Sequence, residues 1–148
     1  MSEHSFSSLH ISAEIVDNLA SLGFASMTAI QAQSLPAILD GKDVIVEGQT
    51  GSGKTAAFGL GILAKLEIKL FKVQALVLCP TRELAEQVAN EIRRLARSTP
   101  NVKVVTLIGG SALRVQVNSL KPPENHLRQT KRQRRSPKSQ AQGRQCNL

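Results

Sequence analysis

Apolar positions along this chain follow two alternating patterns. Short continuous apolar runs, typical of strands buried on both faces, occur at Val44–Glu47, Ala75–Cys79 and Val102–Ile108. Between them, apolar residues recur at the spacing of a helix. We predict helices at Ser12–Ser21, Thr28–Asp40, Lys54–Leu70, Thr81–Ser98 and Ser111–Leu120. Strands that alternate with such helices indicate an α/β fold, in which a parallel sheet carries helices on both faces.

The composition changes at Lys121. Residues 121–148 contain no Val, Ile, Phe or Met, and they carry eight Lys or Arg residues against Glu124 alone. Residues 1–120 carry 11 Lys or Arg residues against 10 acidic ones, so most of the net charge of +8 lies in the tail. Such a tail cannot bury enough apolar surface to offset the entropy lost on ordering, and we expect it to be disordered.

The bulk composition restricts the class of protein. A chain of 148 residues with 41% hydrophobic content is one domain or part of one. It contains no pattern of a signal peptide and no apolar run of the ~18 residues that span a membrane. Cys79 and Cys146 are too few for a disulfide framework or a zinc site, and Cys79 is expected to be a buried thiol. A cytoplasmic protein without a membrane partner is expected, and nothing indicates an oligomer.

The strongest motif follows the first apolar run. Residues 48–55 match the phosphate-binding P-loop pattern G-x-x-x-x-G-K-[ST], between a predicted strand and a predicted helix. Its candidate nucleotide-binding residues are Gly48, Gln49, Thr50, Gly51, Ser52, Gly53, Lys54 and Thr55. Backbone N–H groups of such a loop cradle phosphate oxygens at a helix N-terminus. Lys54 would reach the β- and γ-phosphates of a nucleotide and counter the charge that develops there, and the Thr55 hydroxyl would bind Mg²⁺.

Four segments in order resemble the first RecA-like domain of a DEAD-box ATP-dependent RNA helicase, and within that family its bacterial DbpA type. Gly23–Gln31 is similar to the family's Q motif, with Phe6 upstream where the family keeps an isolated aromatic residue. The P-loop follows, Pro80–Ala85 reproduces motif Ia, and Gly109-Gly110 matches the family's glycine doublet, with Gln116 after it. The resemblance covers about residues 6–120, which implies a partial RecA-like ATP-binding domain over 1–120, with a Q motif at about 4–32.

The resemblance implies a role in adenine binding for two residues. In this family the glutamine that matches Gln31 bonds the adenine base with its amide, and Phe6 could pack against the base. Other interpretations of both residues remain open. Thr28-x-x-Gln31 is also the pattern of a helix capping box, and Phe6 could be an exposed phenyl group on a loose N-terminal arm.

The resemblance also implies contacts with the RNA backbone. It assigns them to Pro80, Thr81, Arg82, Gly109 and Gly110. Phosphates would bind the helix N-terminus and Arg82, and the glycines would allow RNA close to the main chain. Without the resemblance, Thr81 is a helix cap and the doublet a turn that ends a strand. For the parent family, the implied RNA is ribosomal.

One part of an ATPase is missing from the pattern. Hydrolysis in P-loop enzymes requires an acidic residue at the end of a second strand. The last aspartate here is Asp43, and Glu67, Glu83, Glu86 and Glu91 fall on predicted helices. The family's Asp-Glu-Ala-Asp motif and second RecA-like domain do not appear. We therefore expect an incomplete, marginally stable domain with apolar strand edges, and little or no ATP turnover.

The basic tail has three interpretations. It could bind nucleic acid, act as a localisation signal, or be an accidental sequence after a change of reading frame near Leu120. The last is favoured, because the family continues with an apolar strand that does not follow here. For the chain as a whole, the function predicted is that of an ATP-binding part of an RNA helicase. A non-catalytic nucleotide- or RNA-binding fragment and a P-loop protein of another class are the alternatives.

Overall fold

The computed structural model describes residues 4–121. Within that range it contains five α-helices and two short 3₁₀ helices, Phe6–Ser8 and Ala96–Ser98. The α-helices are α1 (Ala13–Ser21), α2 (Ala29–Leu39), α3 (Lys54–Lys65), α4 (Arg82–Leu95) and α5 (Leu113–Ser119). All five helices were predicted, but α3 ends at Lys65 instead of near Leu70, because Leu66 has an extended backbone. The tail beyond Lys121 lies outside the described residues.

Local sequence explains where the helices begin. Thr28 precedes α2 and forms a complete capping box with Gln31. Thr81 caps α4, with its hydroxyl oxygen accepting from the backbone N–H of Leu84 at 3.2 Å. Glu83 in the first turn of α4, and Arg93 with Arg94 in the last, have charges that suit the helix dipole. Pro36 lies inside α2 without ending it.

The core lies among the first four α-helices. Leu19, Leu35, Leu60 and Leu95 come one from each helix, and each is at most 1% exposed. Helix α3 packs between α2 and α4. Its side towards α2 carries Gly61, where a Cβ atom would overlap the side chain of Ile38. The close approach of α2 to α3 therefore depends on a residue without a side chain.

The three segments predicted as strands, 44–47, 75–79 and 102–108, have no regular secondary structure. In residues 4–121 no strand is formed, and the three segments lie between helices without a backbone ladder. One set of their apolar side chains is strongly exposed: Ile45 is 95%, Leu76 77% and Leu78 84% exposed. The parallel sheet expected from the sequence is therefore not found in the described residues.

Other side chains of the first two segments line a cavity. Val44 and Val46 line it with Ala75 and Val77, and α3 contributes Ala57, Phe58 and Gly61. Its volume is about 840 Å³. Cys79 also lines it and is half-buried, so the expectation of a buried thiol was wrong. None of the helices described between residues 4 and 121 has the length and apolar content needed to cross a membrane.

Candidate functional site

The P-loop turn is shaped by glycine. Gly51 and Gly53 have φ angles of 84° and 92°, in the left-handed region that other residues adopt at a cost. Gly53 is also tightly surrounded, because a Cβ atom there would lie 2.6 Å from Gln31 Nε2. The turn leads directly into the first residue of α3, so its N–H groups lie at a helix N-terminus. This is the arrangement expected of a phosphate cradle.

Lys54 lies against the loop that precedes it. Its ammonium group donates to the carbonyl oxygens of Gly48 and Gln49, the latter at 2.6 Å, and to Ser52 Oγ at 3.2 Å. Ser52 Oγ in turn donates to the Gln49 carbonyl at 2.7 Å. The lysine is thus surrounded by oxygen acceptors on one side of the turn. Phosphate oxygens are acceptors of the same kind and carry more charge, so the residues present fit a phosphate ligand.

The Q-motif residues are bonded to the P-loop. Gln31 is 1% exposed, and its Oε1 accepts from the backbone N–H of Thr28 at 2.9 Å. The Nε2 of Gln31 donates to the Gly53 carbonyl at 3.3 Å, and Thr28 Oγ1 donates to the Ser52 carbonyl at 2.8 Å. The capping-box interpretation is therefore confirmed. Adenine binding by Gln31 stays a prediction, and it requires the buried amide to become accessible to the base.

Phe6 is part of the core. It is 4% exposed and packs edge-to-face on Phe24, with ring centroids 6.3 Å apart. The backbone N–H of Met27 donates to the His4 carbonyl at 2.7 Å and joins this end of the chain to the Q motif. The interpretation of residues 4–9 as a loose arm with an exposed phenyl group is wrong. A contact between Phe6 and a base stays a prediction.

The predicted RNA contacts come together in space, although they are separated in sequence. The guanidinium group of Arg82, at the start of α4, lies against the glycine doublet. A Cβ atom on Gly110 would lie 2.8 Å from one guanidinium nitrogen of Arg82, and one on Gly109 would lie 3.7 Å from the other. Gly110 has a φ of 85°. Thr81 is exposed and caps the same helix end.

Two residues to which the sequence gave no bonding role hold this region in place. Arg93 donates to the Val104 carbonyl at 3.0 Å and to Thr106 Oγ1 at 3.2 Å, and so joins the 102–108 segment to α4. Gln116 bonds both the N–H and the carbonyl of Ile108. The sequence showed Gln116 only by its place after the doublet. Nothing in the sequence indicated which carbonyl groups lack a sheet partner and are bonded by side chains instead.

Acidic residues form no metal site in the described part of the chain. Residues 4–121 contain no group of three or more His, Cys, Asp or Glu side chains that could hold a metal ion. Glu83, Glu86 and Glu91 lie on α4, as expected. Glu67 does not lie on a helix, because α3 ends at Lys65, and its backbone is bonded to the Gln74 amide.

Comparison with known proteins places this geometry in a family. Residues 28–134 match the model of the DEAD/DEAH box helicase family. The chain is 62% identical over 103 residues to ATP-dependent RNA helicase DbpA of Escherichia coli, which covers 70% of this chain and 22% of that protein. It is 46% identical over 116 residues to DEAD-box ATP-dependent RNA helicase CshA of Streptococcus pneumoniae, with 78% and 22% covered. The chain thus spans about a fifth of the length of these relatives.

Solved structures similar to this chain belong to the same family. A DEAD box protein from Methanococcus jannaschii matches with a TM-score of 0.76 and 34% identity, over 80% of this chain and 32% of that one. A Dbp5 variant from S. cerevisiae bound to RNA and ADP BeF3 matches with a TM-score of 0.63 and 31% identity, over 66% and 25%. The fold is therefore RecA-like, and the chain belongs to the DEAD/DEAH box helicase family.

Proposed function

We propose that this chain is the ATP-binding part of a DEAD-box RNA helicase. The observation that supports it most is the bonding of the Q-motif residues Thr28 and Gln31 to the carbonyls of Ser52 and Gly53 in the P-loop. A phosphate loop joined to an amide-bearing helix start suits a ligand with phosphates at one end and a purine at the other. The relatives are named as ATP-dependent RNA helicases, which supports ATP and RNA as ligands.

In this proposal the loop from Gly48 to Thr55 holds the triphosphate. Lys54 would exchange the carbonyls of Gly48 and Gln49 for phosphate oxygens, and the loop N–H groups would donate to the same ligand. The half-buried Thr55, in the first turn of α3, would hold Mg²⁺ through its hydroxyl. When bound, the metal ion would neutralise phosphate charge.

Gln31 and Phe6 would contact the adenine. The Gln31 amide has one acceptor bond to Thr28 and one donor bond to Gly53, which leaves one donor hydrogen and one lone pair for a base edge. Phe6 would contact the base from the N-terminal segment. Its pair with Phe24 holds that segment next to the Q motif.

The surface that binds RNA would consist of the α4 N-terminus and the glycine doublet. Pro80, Thr81 and Arg82 would supply a helix end and a cation, and Gly109 with Gly110 would let the sugar-phosphate chain approach the backbone. Contacts of this type recognise the backbone and not the base sequence. Ribosomal RNA is the proposed target, as the relation to DbpA suggests. A soluble cytoplasmic setting without stable oligomers is part of the same proposal.

The chain would bind ATP with little turnover. Among the 148 residues, no Asp follows Asp43, and no Glu directly follows the two apolar segments after the P-loop, 75–79 and 102–108. We propose that these segments are strands of an incomplete parallel sheet, with helices on both faces in the completed domain. Unpaired strands of this kind expose apolar edges and lower solubility.

Calorimetric titration with ATP in the presence of Mg²⁺ tests the nucleotide site. Lys54→Ala should weaken binding at least on the order of tenfold, because it removes a charge-assisted contact to phosphate. Lys65→Ala, at the opposite end of α3, makes the same chemical change and should leave the affinity unchanged. Equal affinities for Lys54→Ala and the unaltered chain would refute the proposal.

Two further measurements separate the alternatives. A preference for GTP over ATP in the same titration would favour another class of P-loop protein. Steady-state phosphate release with and without RNA should stay at the background rate, which supports a binding fragment. RNA-stimulated phosphate release by the purified chain would contradict the expectation of little turnover.

A further inference from the structure

The loop that carries the glycine doublet lacks a sheet to hold it. In residues 4–121 the 102–108 segment has no ladder partner, and Gly109-Gly110 follows its free end. Gly110 has a φ of 85°, a conformation that glycine visits readily but does not fix by itself. Any defined shape of this loop must therefore come from side chains that bond it from outside.

Gln116 provides those bonds. Its Oε1 accepts from the Ile108 N–H at 2.9 Å, and its Nε2 donates to the Ile108 carbonyl at 3.0 Å and to the Ser111 carbonyl at 3.2 Å. One planar amide thus joins the residue before the doublet to the residue after it. A primary amide suits this place because it offers an acceptor and two donor hydrogens together.

Arg82 lies on the other side of the same loop. Its guanidinium group makes no hydrogen bond or ion pair with another side chain in the described residues, and it lies next to Gly109 and Gly110. If the doublet loop had another shape, the guanidinium group of Arg82 would lose its contacts with Gly109 and Gly110. The place of Arg82 therefore depends on the place of the doublet, and the place of the doublet depends on Gln116.

We propose that Gln116 is a positioning residue for RNA-backbone binding, which acts by holding Gly109-Gly110 against Arg82. This inference rests on the proposed function, in which Arg82 and the doublet contact phosphates. Gln116 itself, half-buried under the loop, does not touch the RNA. Its removal should reduce the contribution of Arg82 and leave the nucleotide site intact.

The experiment measures the affinity of the whole chain for a fluorescent single-stranded oligouridylate at several salt concentrations. Gln116→Met keeps the length of the side chain and removes its three hydrogen bonds. The matched control is Gln74→Met, since the Gln74 amide also makes three bonds, to the Glu67 N–H and to the carbonyls of Glu67 and Leu70. ATP affinity, measured on the same samples, reports whether the remaining structure is intact.

We expect Arg82→Ala to weaken RNA binding on the order of tenfold and to reduce the salt slope by about 1, as loss of one phosphate contact does. Gln116→Met should reduce the affinity and the slope in the same way, while Gln74→Met changes neither. In the Arg82→Ala background, Gln116→Met should have little additional effect, because the contact through which it acts is already gone.

Other outcomes separate the two levels of the proposal. If Arg82→Ala binds RNA as the unaltered chain does, the proposed RNA surface is wrong. If Arg82→Ala weakens binding but Gln116→Met matches Gln74→Met, the RNA surface stands and the role of Gln116 is refuted. Additive losses in the double variant, or a loss of ATP affinity in Gln116→Met, would assign Gln116 to general stability and overturn the inference.

Discussion

The helical layer and the three apolar segments of this protein both carry large apolar side chains, but only the helices bury them fully. Helices α1 to α4 each bury a leucine to 1% exposure or less, whereas Ile45, Leu76 and Leu78 remain at least 77% exposed. A helix satisfies its backbone internally and needs a neighbour only for its apolar side. A strand needs a neighbour for its backbone as well. The described residues therefore complete the first kind of element and leave the second without partners.

Side chains replace part of the missing sheet. Arg93 on α4 bonds the Val104 carbonyl, and Gln116 on α5 bonds both backbone groups of Ile108. A polar group left without a partner away from water costs free energy, so such bonds hold these segments near the helices. They do not cover the apolar surface, which explains how the segments can be positioned and exposed at the same time.

The largest expected effect comes from removing a core leucine. Leu60→Ala should lower the free energy of unfolding by about 2–5 kcal/mol, because it leaves a cavity among α2, α3 and α4. Leu78→Ala, the same change at a side chain that is 84% exposed, should alter it by no more than about 0.5 kcal/mol. Urea denaturation followed by circular dichroism measures both. Equal losses would show that the 75–79 segment is buried in solution and would remove the contrast between the two regions.

Substitutions in the P-loop, where a non-helical segment meets α3, should lower the free energy of unfolding by less than Leu60→Ala does. Gly51→Ala and Gly53→Ala both place a side chain at a positive φ, at a cost of about 1–3 kcal/mol each. Only Gly53→Ala also meets Gln31, so it should be the more destabilising and should weaken ATP binding more in calorimetry. If the two variants behave alike, the contact between the Q motif and the loop does not constrain the loop.

An effect of a size similar to that at the P-loop is expected at a buried amide between α1 and α4. Asn18 is 7% exposed, and its Nδ2 donates to the Leu95 carbonyl at 2.7 Å. Asn18→Ala leaves that carbonyl unpaired and should cost about 1–3 kcal/mol. Asn90→Ala, an exposed change on α4, should cost less than about 0.5 kcal/mol in the same denaturation experiment. A cost at Asn90 as large as that at Asn18 would mean that exposure does not separate the two positions.

Helix positions could be predicted because their signals are local. The apolar spacing of α4 and its Thr81 cap gave a start that the structure confirms, and the Thr28–Gln31 pattern gave the capping box. The end of α3 could not be predicted, because the apolar spacing continues to Leu70 while the backbone becomes extended at Leu66. The burial of Phe6 could not be predicted, because a single apolar residue among polar ones gives no periodic signal, and its burial depends on Phe24.

The sequence alone determined the family and the glycine turn that leads into α3, because fixed spacings of glycine, lysine and threonine act through local backbone geometry. The disorder of the basic tail remains a prediction, and the family match extends to residue 134, about halfway along that tail. Only the tertiary structure brought Arg82 to Gly110, Gln31 to Gly53 and Gln116 to both ends of the doublet loop. Contacts between distant residues depend on how whole elements pack, and neither spacing nor composition encodes that in any one segment.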